Sequence, residues 1–326
     1  MGRISKFYFN QLSNQQKQIY SMIHDGLSAY VNEIVLPLTP TMNLSSIYNA
    51  VLLDNPFFYF APTFRYIKNA SRQRIVLIPA YNYSGDVIAQ YATAMRSYLH
   101  MFDWLKSKSQ VEKELYVHDF CLENFSYDYS FNNHSFSPIG LLVNRIGVCA
   151  GISKLVKILL DYLGVECMLV TGKAIGAVNQ KPELHMWNIV AIAGNTYHLD
   201  VTFDMSQKSR INRYDYFNLS DIEIKRDHFL TAVMPKCKIS GRDYYSANSL
   251  VAHNLHELES IISKSFSSNK NPVIVKLNDC NLISKGNALD EIMEVAWRHY
   301  KMPILGEVSL DVSYNPFQQI YELNFT

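Results

Sequence analysis

Between Gly147 and Gly164 the chain sets a cysteine among small residues and then places Ile152, Leu155, Val156, Leu159 and Leu163 at helical spacing. Apolar residues recurring every three to four positions form one stripe on a helix, and a glycine just past the last of them supplies the left-handed residue that ends it. Cys149 therefore falls in the first turn of an amphipathic helix. There, unpaired N–H groups and the aligned peptide dipoles favour negative charge, and a thiol gains thiolate character. The stripe needs a surface to pack on, and strand-like stretches follow it. They are Val165 to Thr171, then 185–192 and 196–203 on either side of Ala193, Gly194 and Asn195, a hairpin turn.

His185 opens the first hairpin strand and Asp200 is expected within the second. Cysteine-dependent acyl transfer needs a nucleophile, a base within reach of it and a third group that fixes the base's tautomer. Cys149, His185 and Asp200 are the candidates for those three places. Residues opposed in a hairpin with a two- or four-residue loop have numbers with an odd sum, so His185 and Asp200 share a face. A Gly194-Asn195 turn would set Asp200 opposite Ile189, so their meeting requires an earlier turn or a bulge. Asp204 and His198 remain alternatives to Asp200. The Cys149 N–H is a candidate oxyanion donor, with Asn144 or the Asn132/Asn133 pair as a possible second. Gly147, Ala150 and Gly151 are expected to let a substrate carbonyl approach the backbone. Trp187 is expected to pack behind His185, with substrate contact as the alternative.

Three blocks resemble the core of the transglutaminase-like superfamily: Gly147-Val148-Cys149-Ala150-Gly151, His185-Met186-Trp187-Asn188, and Tyr197 through Asp204. Tyr116-Val117-His118-Asp119 and Tyr127-Asp128 resemble the helix that precedes this core in many bacterial members. The spacings of 36 and 15 residues suit the compact bacterial form, and the likeness covers about residues 84–205. Phe203 stands where the family often has Trp. The resemblance implies an α+β, papain-like fold with the cysteine helix packed on an antiparallel sheet. It also implies that Cys149 attacks a peptide or carboxamide carbonyl, His185 carries the proton and Asp200 orients the imidazole. The thioacyl-enzyme would pass to water (protease, amidase or deamidase) or to an amine (crosslinking). The alternative expectation is a catalytically silent fold serving as a protein- or peptide-binding scaffold.

The flanking sequence reads as two small α/β modules, giving divisions at 1–82, 83–240 and 241–326. Helix and strand patterns follow the order α-β-α-β-β in residues 14–81 and again after about residue 254. Net charge is +1, with basic residues scattered, which argues against a nucleic-acid partner. The five cysteines are widely spaced without a CxxC or Cys/His ligand pair, and no Asp-x-Asp-x-Asp loop occurs. No metal and no cofactor are expected. No run approaches roughly 18 apolar residues, so no membrane span is expected. With no secretory leader pattern, a cytoplasmic location is expected, and export without a leader is left open. A peptide or protein substrate is the expected partner. The oligomeric state is not legible.

Overall fold

The helix Asn14–Ser28 starts where the sequence places a capping box, with Ser13 accepting from the Gln16 N–H and the Gln16 side chain bonding back to Ser13. The next helix, Leu44–Asp54, is capped by Asn43. Between and after them come β1 (Ile34–Pro37), β2 (Thr63–Asn69) and β3 (Arg74–Ala80), in the order β1-β3-β2 and antiparallel throughout. Ile23, Leu27, Leu36, Ile47, Val51, Ile75 and Leu77 meet in one buried core. β2 begins at Thr63, after a 3-10 turn at Pro56–Phe58.

The computed structural model describes residues 4–38, 43–176, 180–209, 211–278, 288–300 and 308–326. It divides into two units, Met1–Gly172 with Leu184–Thr196, and Lys173–Glu183 with Tyr197–Thr326.

In the first unit, the helix Gly85–His100 is followed by a 3-10 turn at Asp103–Ser107. The capping box at Ser109 is present and starts Gln110–Asn124. The polar stretch 132–140 holds a 3-10 turn, Asn133–Phe136, and the start of a helix, Pro138–Asn144. Proline at the first helical position costs no hydrogen bond, which is why a polar, proline-bearing stretch can begin a helix. β4 (Ser126–Tyr127) and β5 (Ile146–Gly147) pair in parallel just before the cysteine helix, Cys149–Tyr162. Ile152, Leu155, Val156 and Leu159 on that helix are wholly buried. Gly164 ends it with φ 77°, as expected.

The following strands are β6 (Cys167–Ile175), β7 (Pro182–Ile192), β8 (Asn195–Leu199), β9 (Phe217–Leu219) and β10 (His228–Leu230), with sheet order β10-β6-β7-β8-β9. The hairpin turn is Ala193-Gly194, both at positive φ (49° and 81°), so Asn195 already belongs to β8. The expected strand 196–203 ends at Leu199, and Asp200 caps a helix, Val201–Gln207. The β-branched Val201-Thr202 pair suggested a strand. The hydrogen bond from the Phe203 N–H to the Asp200 carboxylate outweighs that preference.

The second unit also contains β11 (Val251–Ala252), β12 (Val273–Leu277), β13 (Leu310–Asn315) and β14 (Ile320–Phe325), with order β11-β12-β14-β13. Helices Leu255–Ser267 and Ala288–His299 belong with them, and Leu258, Ile262, Val275, Val295 and Leu323 share their core. Apart from β11, the strand order β12-β14-β13 reproduces β1-β3-β2, so the likeness in element order extends to the sheets. A short helix, Tyr244–Ala247, is capped by Asp243.

Candidate active site

Cys149 is the first residue of its helix, and the capping residue, Val148, offers no side-chain hydrogen bond to the first turn. Cys149 is half-buried, whereas Cys121, Cys167 and Cys237 are buried; Cys280 lies outside the described residues. Burial pushes the Cys121 thiol up to about 12. Lys154 lies near Cys149. Burial lowers its ammonium to about 8, and the cysteine's opposite charge acts to raise it. Its Nζ donates to the Phe136 carbonyl at 2.9 Å.

The turn facing this helix start is built by Asp128. Its carboxylate accepts from the N–H groups of Ser130 and Asn132 (both 2.9 Å), the Asn132 amide and the Ser135 hydroxyl. The Ser135 bond is the largest cause holding the Asp128 carboxyl below its ordinary value. The Ser135 carbonyl then accepts from the Val148 N–H at 3.0 Å. Asn132, an oxyanion candidate from sequence, is thus committed to the turn, and Asn144 is exposed at a helix end. Gly151 has a reason to be glycine: a Cβ there would lie 2.3 Å from the Ser135 carbonyl oxygen. At Gly147 a Cβ would meet the Leu141 side chain at 2.9 Å. Both glycines therefore have a packing role.

β7 is stitched to the cysteine helix beside His185. Ser153, one turn after Cys149, donates to the Met186 carbonyl at 2.8 Å, and the buried Asn188 amide donates to the Ser153 carbonyl at 3.1 Å. These bonds fix the strand carrying His185 against the first turns of the helix carrying Cys149. Trp187 is fully buried, its ring nearly parallel to that of His185 with centroids 5.9 Å apart.

In the second unit, both Asp200 oxygens are engaged. Oδ1 accepts from the Phe203 N–H at 3.0 Å, and Oδ2 lies 3.0 Å from His228 Nε2. His228 Nδ1 lies 2.6 Å from Asp227, and Asp227 also accepts from the Tyr216 hydroxyl. Asp200, Asp227 and His228 are all buried. Sequence reasoning missed His228, which follows the three blocks and has no motif around it. Asp204, an alternative from sequence, holds the Tyr216 N–H at 2.9 Å. His198, the other alternative, bonds Asp221 at 3.1 Å. The ligand-capable atoms of His198, Asp221 and Cys237 lie within 4.8 Å of one another. No sequence spacing revealed this Cys/His group, and the His198–Asp221 bond accounts for the pair without an ion.

His228 and His198, both buried, titrate in opposite directions. Burial opposes the charge on His228, but its bonds to Asp200 and Asp227 prevail and raise it. Burial lowers His198 despite the help of Asp221. A raised value means the His228 ion pairs stabilise the fold fully below about pH 6.5, and that stability is lost as pH rises through the folded value. For His198 the unfolded chain takes up a proton the fold resists, so stability falls as pH drops below about 6.5. His228→Gln should flatten the alkaline loss and His198→Gln the acid loss, in urea unfolding at pH 5.5, 7 and 8.5. Two variants that retain the parent's pH dependence would contradict these assignments.

Residues 102–201 match the family model of the Transglutaminase-like superfamily. This stretch is similar to that family. It contains the cysteine helix, β7 and β8, and ends one residue after Asp200. The α+β class expected from sequence is the one observed. No curated protein matches the chain. Among solved structures, a candidate cysteine protease from Cytophaga hutchinsonii is 19% identical over 43% of this chain and 61% of its own, with a TM-score of 0.27. A protein described as a TGase is 12% identical over 56% of this chain and 53% of its own, with a TM-score of 0.32. A candidate protease from Parabacteroides distasonis is 15% identical over 41% of this chain and 30% of its own, with a TM-score of 0.26. The chain thus spans less than two thirds of each. Among the described residues, no helix is long and apolar enough to cross a membrane.

Proposed function

We propose that this chain is a cysteine-dependent acyl-transfer enzyme acting on a peptide or carboxamide bond, with Cys149 as nucleophile, His185 as base and Asp200 as the group that orients the imidazole. The observation that carries this reading is Cys149 itself. Inside the transglutaminase-like stretch, it is the half-exposed cysteine at a helix start without a side-chain cap, while the other described cysteines are buried.

In the proposed reaction, Cys149 Sγ attacks the carbonyl carbon as a thiolate and the imidazolium of His185 protonates the departing nitrogen. The C–N bond breaks and a thioester remains. The Cys149 N–H is the proposed donor to the oxyanion. Water, deprotonated by neutral His185, then attacks the thioester, releasing a carboxylic acid and the thiolate. An amine in place of water would give transamidation. Hydrolysis is the preferred outcome, because amine transfer requires a site that excludes water. No metal or cofactor enters this scheme, and a peptide or protein is the proposed substrate.

Limiting iodoacetamide at pH 6, read by peptide mass mapping, tests the assignment. An ordinary thiol near pKa 8.5 is about 0.3% thiolate at that pH. Rapid single labelling at Cys149, slowed at least about tenfold in His185→Ala, is the expected result. Slow labelling spread over several cysteines would remove the basis for the enzyme reading.

A further inference from the structure

We propose that His228 is a positioning residue for Asp200, clamping its carboxylate in the orientation that the base His185 requires. This rests on the Cys149–His185–Asp200 reading above.

A neutral imidazole has one N–H and can donate to one carboxylate only. His228 has a carboxylate at hydrogen-bond distance from each ring nitrogen, Asp200 at 3.0 Å and Asp227 at 2.6 Å. Both bonds form together when His228 is an imidazolium between two carboxylates, and its raised titration agrees with that state. Asp227 is itself held by the Tyr216 hydroxyl, to which Asn315 donates at 3.2 Å. The rings of Phe203 and Tyr216 lie 4.6 Å and 5.5 Å from the imidazole, and His198 and His228 are close enough for charge on one to oppose charge on the other.

For Asp200 this has a definite consequence. The Phe203 N–H fixes Oδ1 and His228 fixes Oδ2, so the carboxylate plane cannot turn about its Cβ–Cγ bond. Each oxygen keeps a second lone pair whose direction is then set. The imidazolium also favours the ionised form of Asp200, which keeps the carboxylate an acceptor toward a protonated base. A cap interaction alone would hold one oxygen and leave the other free to rotate. The part of His228 that acts on the proposed reaction is therefore its hold on Oδ2.

The test is the pH profile of Cys149 alkylation by iodoacetamide in the full chain, compared across His228→Ala, His228→Gln, Asp227→Asn, Asp200→Asn and the Asp200→Asn/His228→Ala pair, with folding checked by circular dichroism. Loss of an oriented Asp200 weakens the imidazolium beside the thiolate, so the midpoint should rise. The expected result is a rise of about one pH unit in His228→Ala, about tenfold slower labelling at pH 6. His228→Gln, which keeps a donor for Oδ2, should recover part of the rate. The double variant should be no slower than Asp200→Asn. If His228→Ala does not fold, the decision falls to His228→Gln and Asp227→Asn, where a raised midpoint supports the clamp and an unmoved one overturns it. Folded His228 variants with the parent's profile beside a shifted Asp200→Asn would overturn the clamp alone. An unshifted Asp200→Asn would overturn the triad reading and the clamp with it.

Discussion

Arg213→Ala is expected to destabilise the second unit by about 3–5 kcal/mol, the usual cost of removing one partner from a buried ion pair. Arg213 is 1% exposed. Its Nε and Nη2 grip the two Asp215 oxygens at 3.1 and 2.9 Å, and Nη1 bonds Glu322 on β14 at 2.9 Å. Asp215 also accepts from the Tyr245 hydroxyl at 2.8 Å and the Asn315 amide at 3.1 Å, and Glu322 accepts from the Ser209 hydroxyl. Those neutral donors do not cancel charge. Alanine would leave two buried carboxylates facing the space that held the guanidinium, and each would have to take a proton or draw in water. At about 2–4 °C per kcal/mol, the melting temperature should fall by roughly 6–20 °C. Lysine should recover only part of this, because a single ammonium cannot reproduce the bidentate grip. Calorimetry of the three proteins decides it. A loss under about 1 kcal/mol in Arg213→Ala would mean that the network contributes little beyond its hydrogen bonds.

What the sequence makes legible follows the range of each interaction. The capping boxes at Ser13 and Ser109 and the Gly164 stop are local, involving residues a few positions apart, and all three are present. The cysteine helix is equally visible, because a 14-residue amphipathic helix carries its own period. The errors arose where one side chain outweighed a run of propensities. Asp200 ends a β-like stretch by capping a helix, and Asp243 caps a short helix at Tyr244. Asp200 therefore lies past the end of β8, where strand parity no longer sets its face. Interactions across long separations were invisible. Asp200 and His228 are 28 positions apart, Arg213 and Glu322 are 109 apart, and no periodicity links either pair.

Gly151 shows how packing can require a small residue beside Cys149. Small residues there suggested room for a substrate carbonyl, but at Gly151 that space belongs to the chain's own Ser135 carbonyl. The turn carrying Ser135 is rigid, since Asp128 binds Ser130, Asn132 and Ser135 at once. The helix start is tied to the same turn by the Val148 N–H. Sequence position, glycine content and backbone geometry therefore meet at one close approach, and that approach sets where the thiol sits.

Gly151→Ala should consequently cost far more reactivity than its one added methyl suggests. The new Cβ would lie 2.3 Å from the Ser135 carbonyl oxygen and 3.1 Å from that of Ser137, both backbone atoms that no rotamer change can move. Either the helix start or the Asp128-held turn has to shift. Overpacking of this kind costs about 1–3 kcal/mol, a loss that a domain of ordinary stability survives. Reactivity is less tolerant, because a misplacement of about 1 Å in a reacting group can cost on the order of 100-fold. The alkylation rate of Cys149 at pH 6 should fall by about that factor while circular dichroism and cooperative unfolding persist. Gly176→Ala is the matched control, since nothing lies within 4 Å of a Cβ built there. It should change neither rate nor stability by more than about 0.5 kcal/mol. Equal behaviour of the two variants would mean that the turn yields freely and that the placement of Cys149 does not depend on it. A selective loss in Gly151→Ala would tie the reactivity of the thiol to the backbone contact that seats its helix.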